Sequence, residues 1–351
     1  MVRQFKLALL RTLKTAGIFD AVANTKWRSQ RLLILCYHGI ALEDEHLWRP
    51  RLYMPVAMFE ERLKALHAMG CAVLPLAEAL SRLQTDDLPP RSVAVTFDDG
   101  TYDFYRQAFP LLRRYQVPAT VYQTTYYTDN EVPVFNLICS YMLWKRRGEQ
   151  LPAVPELGLS SPLDLRTELG RHHVVRGLID FGDSRQLTGI EKNGLARDLA
   201  HVLGIDYNAL TNKRILQLMN ATEVAKVANA GIDVQLHTHR HRTPEDEGLF
   251  RREIADNRRR IESFTRRSPA HFCYPAGIYR KEFFPWLGTE GVLSATTCDA
   301  GLVNRRDNPL LLPRFVDTSR RTQAEFESWL SGLGSLIALN KVSPQQYVPA
   351  E

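Results

Sequence analysis

The sequence lacks paired cysteines and long uninterrupted apolar runs. Its five cysteines form an odd, widely spaced set with no C-x-x-C pair, which argues against a disulfide framework and a structural zinc knuckle. Charged residues interrupt the start of the chain every few positions, so it does not have the unbroken apolar centre of a signal peptide or a membrane span. We therefore expect the protein to reside in a reducing compartment, the cytoplasm.

The excess of basic over acidic residues is confined to the N-terminus. Residues 1–31 contain seven basic residues and one acidic residue, which accounts for the whole net charge of +6. The rest of the chain is close to neutral, so its charge gives no reason to expect a nucleic-acid partner. Residues 1–31 are predicted to form a basic amphipathic helix whose apolar face contains Phe5, Leu9, Leu10 and Leu13. Such a helix is typical of association with the inner face of a membrane, but packing on the protein body explains the pattern equally well.

The remaining residues predict one α/β domain over 32–351. A composition of 44% hydrophobic and 24% charged residues excludes a disordered or collagen-like chain. From residue 32, short apolar runs alternate with amphipathic helical stretches, a rhythm that favours a parallel sheet or barrel covered by helices. The rhythm stops between about 130 and 217, so we expect a mainly helical insertion without strands in one βα loop.

Two carboxylates follow one of the predicted strands. In V-A-V-T-F-D-D-G, Asp98 and Asp99 come directly after an apolar run, where the active sites of α/β barrels lie. Adjacent side chains on an extended chain point in opposite directions, so one carboxylate can bind a metal while the other faces a reacting water. The alternative is a solvated turn with no function.

Three histidines follow another predicted strand. In H-T-H-R-H, His237 and His241 are four residues apart and can converge on one cation, whereas His239 is expected to point away. A single histidine is more often structural. The pair becomes informative because the same chain carries the two carboxylates after a different strand.

T-F-D-D-G followed by H-T-x-x-H resembles the polysaccharide deacetylases of the nodulation-factor deacetylase type, carbohydrate esterase family four. The resemblance covers roughly residues 32–129 and 218–318. It implies a distorted (β/α)7 barrel and removal of acetyl groups from N-acetylated sugars, and the predicted insertion and both ends of the chain lie outside it.

The resemblance also implies the roles of the motif residues. Asp99, His237 and His241 match the metal ligands, and Asp98 matches the catalytic base. A divalent metal in such a set, with one open position, lowers the pKa of bound water toward about 7 and polarises a carbonyl. Zinc is the expected metal, and cobalt or nickel would also suit these ligands.

A third motif of the family is matched by F-C-Y-P-A-G. Its turn implies that the backbone amide of Ala276 contributes to an oxyanion hole, with Tyr274 and Pro275 beside it at the substrate. Many members carry an arginine here that orients the base, but this chain has Cys273 and no arginine in the turn. Arg314, in L-L-L-P-R-F, is the candidate replacement; a surface arginine is the alternative.

The general acid must also come from an unusual position. Many members use a late histidine, yet no histidine follows His271 in this chain. His38, in L-L-I-L-C-Y-H-G-I, ends the first predicted strand, which resembles the circularly permuted branch that contains the poly-N-acetylglucosamine deacetylases. That resemblance implies that His38 is the acid, whereas a histidine that merely caps the strand is the alternative.

Together these patterns predict a metal-dependent N-deacetylase. Its substrate is expected to be an N-acetylated saccharide in a polysaccharide, glycolipid or lipid-linked intermediate of exopolysaccharide or envelope synthesis. Two alternatives stay open at this point. One is deacetylation of a small amide or a peptidoglycan unit, and the other is a catalytically silent barrel that only binds carbohydrate.

Overall fold

The computed structural model describes residues 2–337, with side chains from residue 4. The strands within this range are β1 Arg31–Tyr37, β2 Gly39–Ile40, β3 Tyr53–Met54, β4 Ala72–Val73, β5 Ser92–Phe97, β6 Thr120–Gln123, β7 Gln150–Leu151, β8 Leu163–Asp164, β9 Asp233–Leu236, β10 His271–Cys273, β11 Ser294–Thr296, β12 Val303–Asn304 and β13 Phe315–Val316. The α-helices are α1 Val2–Thr15, α2 Ile18–Ala23, α3 Lys26–Ser29, α4 Glu45–Trp48, α5 Val56–Ala68, α6 Leu76–Gln84, α7 Phe109–Arg114, α8 Tyr126–Asn130, α9 Phe135–Lys145, α10 Glu168–Ser184, α11 Gly189–Val202, α12 Tyr207–Asn212, α13 Ala221–Asn229, α14 Glu247–Thr265, α15 Phe283–Thr289, α16 Gln323–Ser331 and α17 Leu333–Leu336.

The described residues divide into two compact units. The first comprises residues 2–100, 104–125 and 221–337, and the second comprises 101–103 and 126–220. The first unit contains the large sheet, and the second contains most of the predicted insertion. Each unit is described by itself below.

The first unit is built on a curled parallel sheet in the order β11–β10–β9–β6–β5–β1. The next parallel position beside β1 is taken by β13, where Phe315 pairs with Leu35. Just before β13, Leu312 pairs in parallel with Thr296 of β11. The segment 312–316 therefore contacts both β11 and β1, the first and last strands of the order given above. The predicted α/β fold is confirmed. All of β5 and nearly all of β1 is buried because helices cover the sheet, which is why their sequences are continuously apolar.

The N-terminal region differs from the single helix predicted over residues 1–31. Three helices, α1 to α3, occupy it, and the break follows α1 at Gly17, which has a φ of 74°. Leu10 of α1 is buried in a cluster with Phe19 and Leu333, whereas Phe5 is 74% exposed. The helix thus packs on the protein body through part of its apolar face. Among residues 2–337, no helix is both long enough and apolar enough to cross a bilayer.

The second unit is mainly helical, as predicted, but it also contains strands. Its helices are α8 to α12, and Ile138, Tyr141 and Met142 of α9 are fully buried. The strands β7 and β8 form an antiparallel pair, which corrects the prediction of an insertion without strands. Each strand has only two residues, too few for an alternating pattern to be visible in the sequence. The unit also extends beyond the predicted bounds of 130–217.

Candidate active site

The two adjacent carboxylates separate through a left-handed turn at the end of β5. The amide of Asp98 still donates to the Tyr37 carbonyl at 2.9 Å, so this residue continues the sheet. Asp99 has a φ of 70°, and Gly100 follows with a φ of 74°. A non-glycine residue in this region is strained, which requires support from the surroundings. The carboxylates therefore reach different partners by a turn, and not by the strand alternation assumed from sequence.

Asp98 is buried, and its main partner is Arg314. The guanidinium group binds both carboxylate oxygens, with distances of 2.6 and 2.8 Å. The thiols of Cys36 and Cys273 each lie 3.5 Å from Oδ2 of Asp98. Burial by itself would raise the pKa of Asp98, but the charge and hydrogen bonds of Arg314 outweigh it and hold the pKa well below its usual value. The late arginine predicted from sequence thus contacts the first carboxylate directly.

His38 lies beside the same carboxylate. Its Nε2 is 3.8 Å from Oδ2 of Asp98, and its Nδ1 is buried without a hydrogen-bond partner among the described residues. Burial lowers the pKa of His38 below its ordinary value, although the charge of Asp98 acts in the opposite direction. The histidine that ends the first strand and the carboxylate that ends β5 are therefore brought together.

The second carboxylate, Asp99, lies against two imidazoles. Its Oδ1 is 3.3 Å from Nε2 of His237 and 3.2 Å from Nε2 of His241. One ligand atom from each of the three residues lies within 4.8 Å of the others. Around a tetrahedral zinc ion with bonds of about 2.0–2.1 Å, neighbouring ligand atoms are roughly 3.3 Å apart. The three residues therefore fit a divalent ion of this size.

The hydrogen bonds of His237 support the same conclusion. Its Nδ1 lies 2.8 Å from the carbonyl oxygen of Cys273, and a carbonyl can only accept, so Nδ1 carries the proton. In the neutral ring this leaves the lone pair of Nε2 directed toward Asp99, which is how a second hydrogen-bond partner orients a metal-binding histidine. Burial alone would raise the pKa of Asp99, but the close approach of His237 and His241 holds it well below its usual value. Asp99 is therefore ionised, as a metal ligand must be.

Residues 237–242, which follow β9 and contain the three histidines, are called the histidine loop below. Helix α14 supports this loop with two buried polar residues that were not predicted from the sequence. Asn257 accepts a hydrogen bond from the His237 amide at 2.9 Å and donates to the Gln123 carbonyl at the end of β6. Glu253, four residues earlier and on the same face, accepts from the Arg240 amide at 2.8 Å. The third histidine, His239, lies 2.8 Å from Thr125 through its Nδ1, away from the other two as expected. Polar residues at the i and i+4 positions of an otherwise apolar helix face were the available signal.

The third motif forms a tight turn after β10. Ala276 has a φ of 55°, and the amides of Gly277 and Ile278 close the turn on the carbonyls of Tyr274 and Pro275. The Tyr274 side chain is fully buried, and its hydroxyl donates to the Leu310 carbonyl at 3.0 Å. The side chain of Tyr274 is thus engaged in the core. What this segment can present to a ligand is the backbone of the turn.

Comparisons with known proteins agree with this geometry. A family described as polysaccharide deacetylase matches residues 85–154 and 202–288. The protein YxkH of Bacillus subtilis is 37% identical over 93 residues, which is 26% of this chain and 31% of that protein. The poly-beta-1,6-N-acetyl-D-glucosamine N-deacetylase of Staphylococcus aureus is 33% identical over 75 residues, which is 21% of this chain and 26% of that protein. The matched segments span less than a third of either relative.

Solved structures match over more of the chain. The deacetylase PplD of Streptococcus pyogenes, in complex with acetate, aligns with a TM-score of 0.54 and 16% identity over 82% of this chain and 93% of that one. IcaB of Ammonifex degensii aligns with a TM-score of 0.53 and 18% identity over 86% of this chain and 97% of that one. At these identities the likeness concerns the fold, and it agrees with the curled parallel sheet.

Proposed function

The chain belongs to the polysaccharide deacetylase family, and from this premise we propose that it removes acetyl groups from N-acetylated sugars with the help of a divalent metal ion. One observation carries the proposal. Two imidazoles and a carboxylate meet at 3.2–3.3 Å, directly beside a second carboxylate that an arginine holds through both oxygens. A carbohydrate-binding barrel without catalysis would need neither the metal ligands nor the separate carboxylate.

Asp99, His237 and His241 are the residues that would hold the ion. When bound, a divalent ion with an open position lowers the pKa of a coordinated water and polarises the carbonyl of the acetyl group. We propose zinc, with cobalt and nickel as alternatives, because imidazole and carboxylate ligands suit all three.

Asp98 and His38 would move the protons. Asp98 takes the proton that leaves the attacking water as the C–O bond forms. Burial lowers the pKa of His38 and favours its neutral form, so it must gain a proton during the reaction. Oδ2 of Asp98 and Nε2 of His38 are 3.8 Å apart, which is beyond hydrogen-bond distance, so passing this proton from Asp98 to His38 requires the two side chains to approach or one water to bridge them. His38 then donates it to the amide nitrogen as the C–N bond breaks, which releases acetate and a free amine.

Arg314 and the turn around Ala276 would complete the site. Arg314 orients Asp98 and keeps it ionised, so the carboxylate is ready to accept a proton. The Ala276 amide is proposed to donate to the carbonyl oxygen of the acetyl group as that oxygen gains negative charge. Tyr274 and Pro275 contribute by holding the turn, since their carbonyls accept its hydrogen bonds.

We propose a saccharide of exopolysaccharide or envelope synthesis as the substrate. The support is the similarity to the staphylococcal poly-beta-1,6-N-acetyl-D-glucosamine N-deacetylase and the position of His38, which matches the permuted branch of the family. A reducing, cytoplasmic location is proposed because the cysteines of residues 2–337 are free, and Cys36 and Cys273 lie against Asp98 as thiols.

We further propose that α1 associates peripherally with a membrane. Phe5 and Leu9 on this helix are exposed, whereas Lys6 and Lys14 form ion pairs with Glu325 and Glu327 of α16. Because part of the positive charge is neutralised internally, apolar insertion is expected to contribute more than attraction to anionic lipid.

Sedimentation with phosphatidylglycerol vesicles tests the membrane proposal. A Phe5→Ser and Leu9→Ser variant should lose binding. Leu249→Ser removes a similarly exposed leucine from α14 and should retain it. Equal binding by both variants, or no binding by the unmodified chain, would exclude α1 as an anchor.

Acetate release tests the proposed activity. The purified chain, stripped of metal and then reloaded with zinc, is incubated with a panel that contains poly-β-1,6-N-acetylglucosamine oligomers, peptidoglycan fragments and lipid-linked N-acetylated sugars. The proposal predicts metal-dependent release of acetate from at least one saccharide, and release that is slower by about 10²-fold or more after Asp98→Asn. Sugar binding without acetate release under every metal condition would instead support a silent binding domain.

A further inference from the structure

We propose that Glu253 is a positioning residue that allows the histidine loop to hold a divalent cation next to two arginines. This inference rests on the proposed metal site and goes beyond it, because Glu253 makes its hydrogen bonds to the histidine loop with residues 239, 240 and 242 and none with the proposed ligand atoms. It acts through the loop that carries His237 and His241.

The loop places positive charge next to its own ligands. Arg240 and Arg242 flank His241 directly in the sequence H-T-H-R-H-R. Two guanidinium groups beside a cation site disfavour cation binding unless a negative charge is near them, and a guanidinium group cannot lose its proton at neutral pH. A loop of this composition therefore needs a carboxylate that is not itself a metal ligand.

Glu253 provides that carboxylate from α14. Its Oε1 lies 3.1 Å from Nη1 of Arg240 and 2.8 Å from Nε of Arg242. Its side chain is only 1% exposed, whereas the two arginine side chains are 38% and 56% exposed. The single buried carboxylate thus faces both flanking charges and draws both guanidinium groups toward α14.

Glu253 also fixes the backbone of the loop at two points. Its Oε2 accepts from the Arg240 amide at 2.8 Å, and its backbone carbonyl accepts from the His239 amide at 3.1 Å. The loop contains left-handed residues at Thr238 and His241, with φ values of 62° and 55°. Such conformations persist only when surrounding contacts enforce them. The two contacts with Glu253 lie between these strained positions and hold the intervening backbone in place.

Glu253→Gln separates the charge of this residue from its hydrogen bonding. Glutamine can still accept from the Arg240 amide but leaves both arginines without the buried negative charge. Metal-stripped protein is titrated with Co²⁺ and followed by ligand-field absorbance. We expect the Kd to rise about tenfold or more, within the range seen when residues that support metal ligands are changed. The ratio of variant to wild-type Kd should shrink as salt is raised from about 0.02 M to about 0.5 M.

Glu290 offers a matched control. It is a partly buried glutamate with two arginine partners, Arg251 at 2.8 Å and Arg258 at 4.0 Å, and it does not contact the histidine loop. Glu290→Gln should lower the melting temperature about as much as Glu253→Gln does, but it should leave the Co²⁺ Kd unchanged. A role in general stability alone would affect the two variants alike in melting temperature and neither in Kd.

Charge rescue decides whether neutralisation is the cause. Adding Arg240→Gln and Arg242→Gln to Glu253→Gln removes the unbalanced positive charge, and we expect the Kd to return to within about threefold of wild type. If Glu253→Gln does not fold, Arg242→Gln alone replaces it and should bind Co²⁺ more tightly than wild type. A Kd for Glu253→Gln within twofold of wild type, no rescue, or no gain from Arg242→Gln would overturn the inference. A wild-type chain that binds no Co²⁺ would instead refute the metal site itself.

Discussion

Asp98 and Asp99 are neighbours in the chain, but Asp98 belongs to a buried inner region and Asp99 to a more exposed outer region. The Asp98 side chain is 3% exposed and faces inward to Arg314, His38 and two thiols. The Asp99 side chain is 28% exposed and faces outward to His237 and His241. The difference arises from a single left-handed residue, because Asp98 continues the strand and Asp99 turns away from it.

This comparison shows how one strand end can supply two chemical functions. Both carboxylates have a lowered pKa, but the causes differ. Asp98 is ionised because a permanent cation is paired with it, so it remains available to a proton. Asp99 is ionised because two imidazoles contact it, and these are the three residues that would hold the metal ion. An inner proton-handling site and an outer cation site therefore lie one residue apart.

The largest expected effect is on catalysis, and it comes from changing Asp98 while Asp99 and its two histidines are left intact. Asp98→Asn keeps the shape of the side chain but removes the proton acceptor. We expect the kcat of acetate release to fall by about 10²–10⁴-fold, the usual contribution of general base catalysis. Circular dichroism serves as the control for folding, since the substitution leaves Arg314 without its charged partner. A decrease of less than tenfold would show that Asp98 is not the base.

Removing the partner of Asp98 tests its buried ion pair. Arg314→Met leaves an unpaired buried carboxylate and should reduce the free energy of unfolding by about 3–5 kcal/mol in urea titrations. The double variant Asp98→Asn with Arg314→Met should lose less, because no unpaired charge remains. If both variants lose the same amount, the charge of Asp98 is not what the arginine balances.

The pH dependence of stability should have opposite signs in the wild type and in Arg314→Met. In the wild type the lowered pKa of Asp98 contributes stability that is complete above the unfolded pKa of about 3.9 and is lost as the pH falls below it. In Arg314→Met, burial is opposed only by the weaker effect of the nearby histidines, so the pKa of Asp98 rises and the variant should gain stability as the pH is lowered from 8 to about 5. A variant that loses stability over this range would contradict the assignment.

A smaller effect is expected at the acid. His38→Ala should reduce kcat by about 10²-fold while leaving the Co²⁺ Kd unchanged, because His38 contacts Asp98 and not the outer ligands. His67→Ala changes a histidine on α5 whose Nε2 lies 3.0 Å from the Tyr115 carbonyl, and it should have full activity. Unchanged turnover in His38→Ala would remove His38 from the mechanism.

The smallest effect concerns the turn that separates the two regions. A β-carbon at Gly100 would lie 2.0 Å from Oε1 of Gln123, whereas one at Gly70 would meet nothing within 4 Å. Both glycines have positive φ, so Gly70→Ala measures the conformational effect alone, about 1–2 kcal/mol. Gly100→Ala should be about 1–3 kcal/mol less stable than Gly70→Ala because it is also overpacked. Equal stabilities would mean that Gln123 moves aside without loss.

The sequence predicted the parts of this site that lie within single motifs. Asp98 and Asp99 follow β5 directly, His237 follows β9 directly with His241 four residues later, and the carboxyl ends of parallel strands meet at one rim. The α/β fold and the family were predictable for the same reason. The pairing of Arg314 with Asp98 could be proposed only through the family pattern, because it depends on how the late segment returns to β1 across more than 200 residues of chain.

Other features left too little local signal. The strands β7 and β8 have two residues each, and the break after α1 depends on Gly17 within a segment that otherwise continues its amphipathic pattern. Glu253 and Asn257 share an i, i+4 spacing on one face of α14, but the helix is rich in arginine, and its charges suggest a solvated face. Their role depends on which face meets the histidine loop, and that is set by tertiary packing.

The most direct test of the division between the two carboxylates is a titration of metal-stripped protein with Co²⁺, followed by ligand-field absorbance, for wild type, Asp99→Ala and Asp98→Asn. We expect one ion per chain in the wild type and in Asp98→Asn, and none at the same concentrations in Asp99→Ala. Binding that survives Asp99→Ala, or that is lost in a folded Asp98→Asn, would contradict the account.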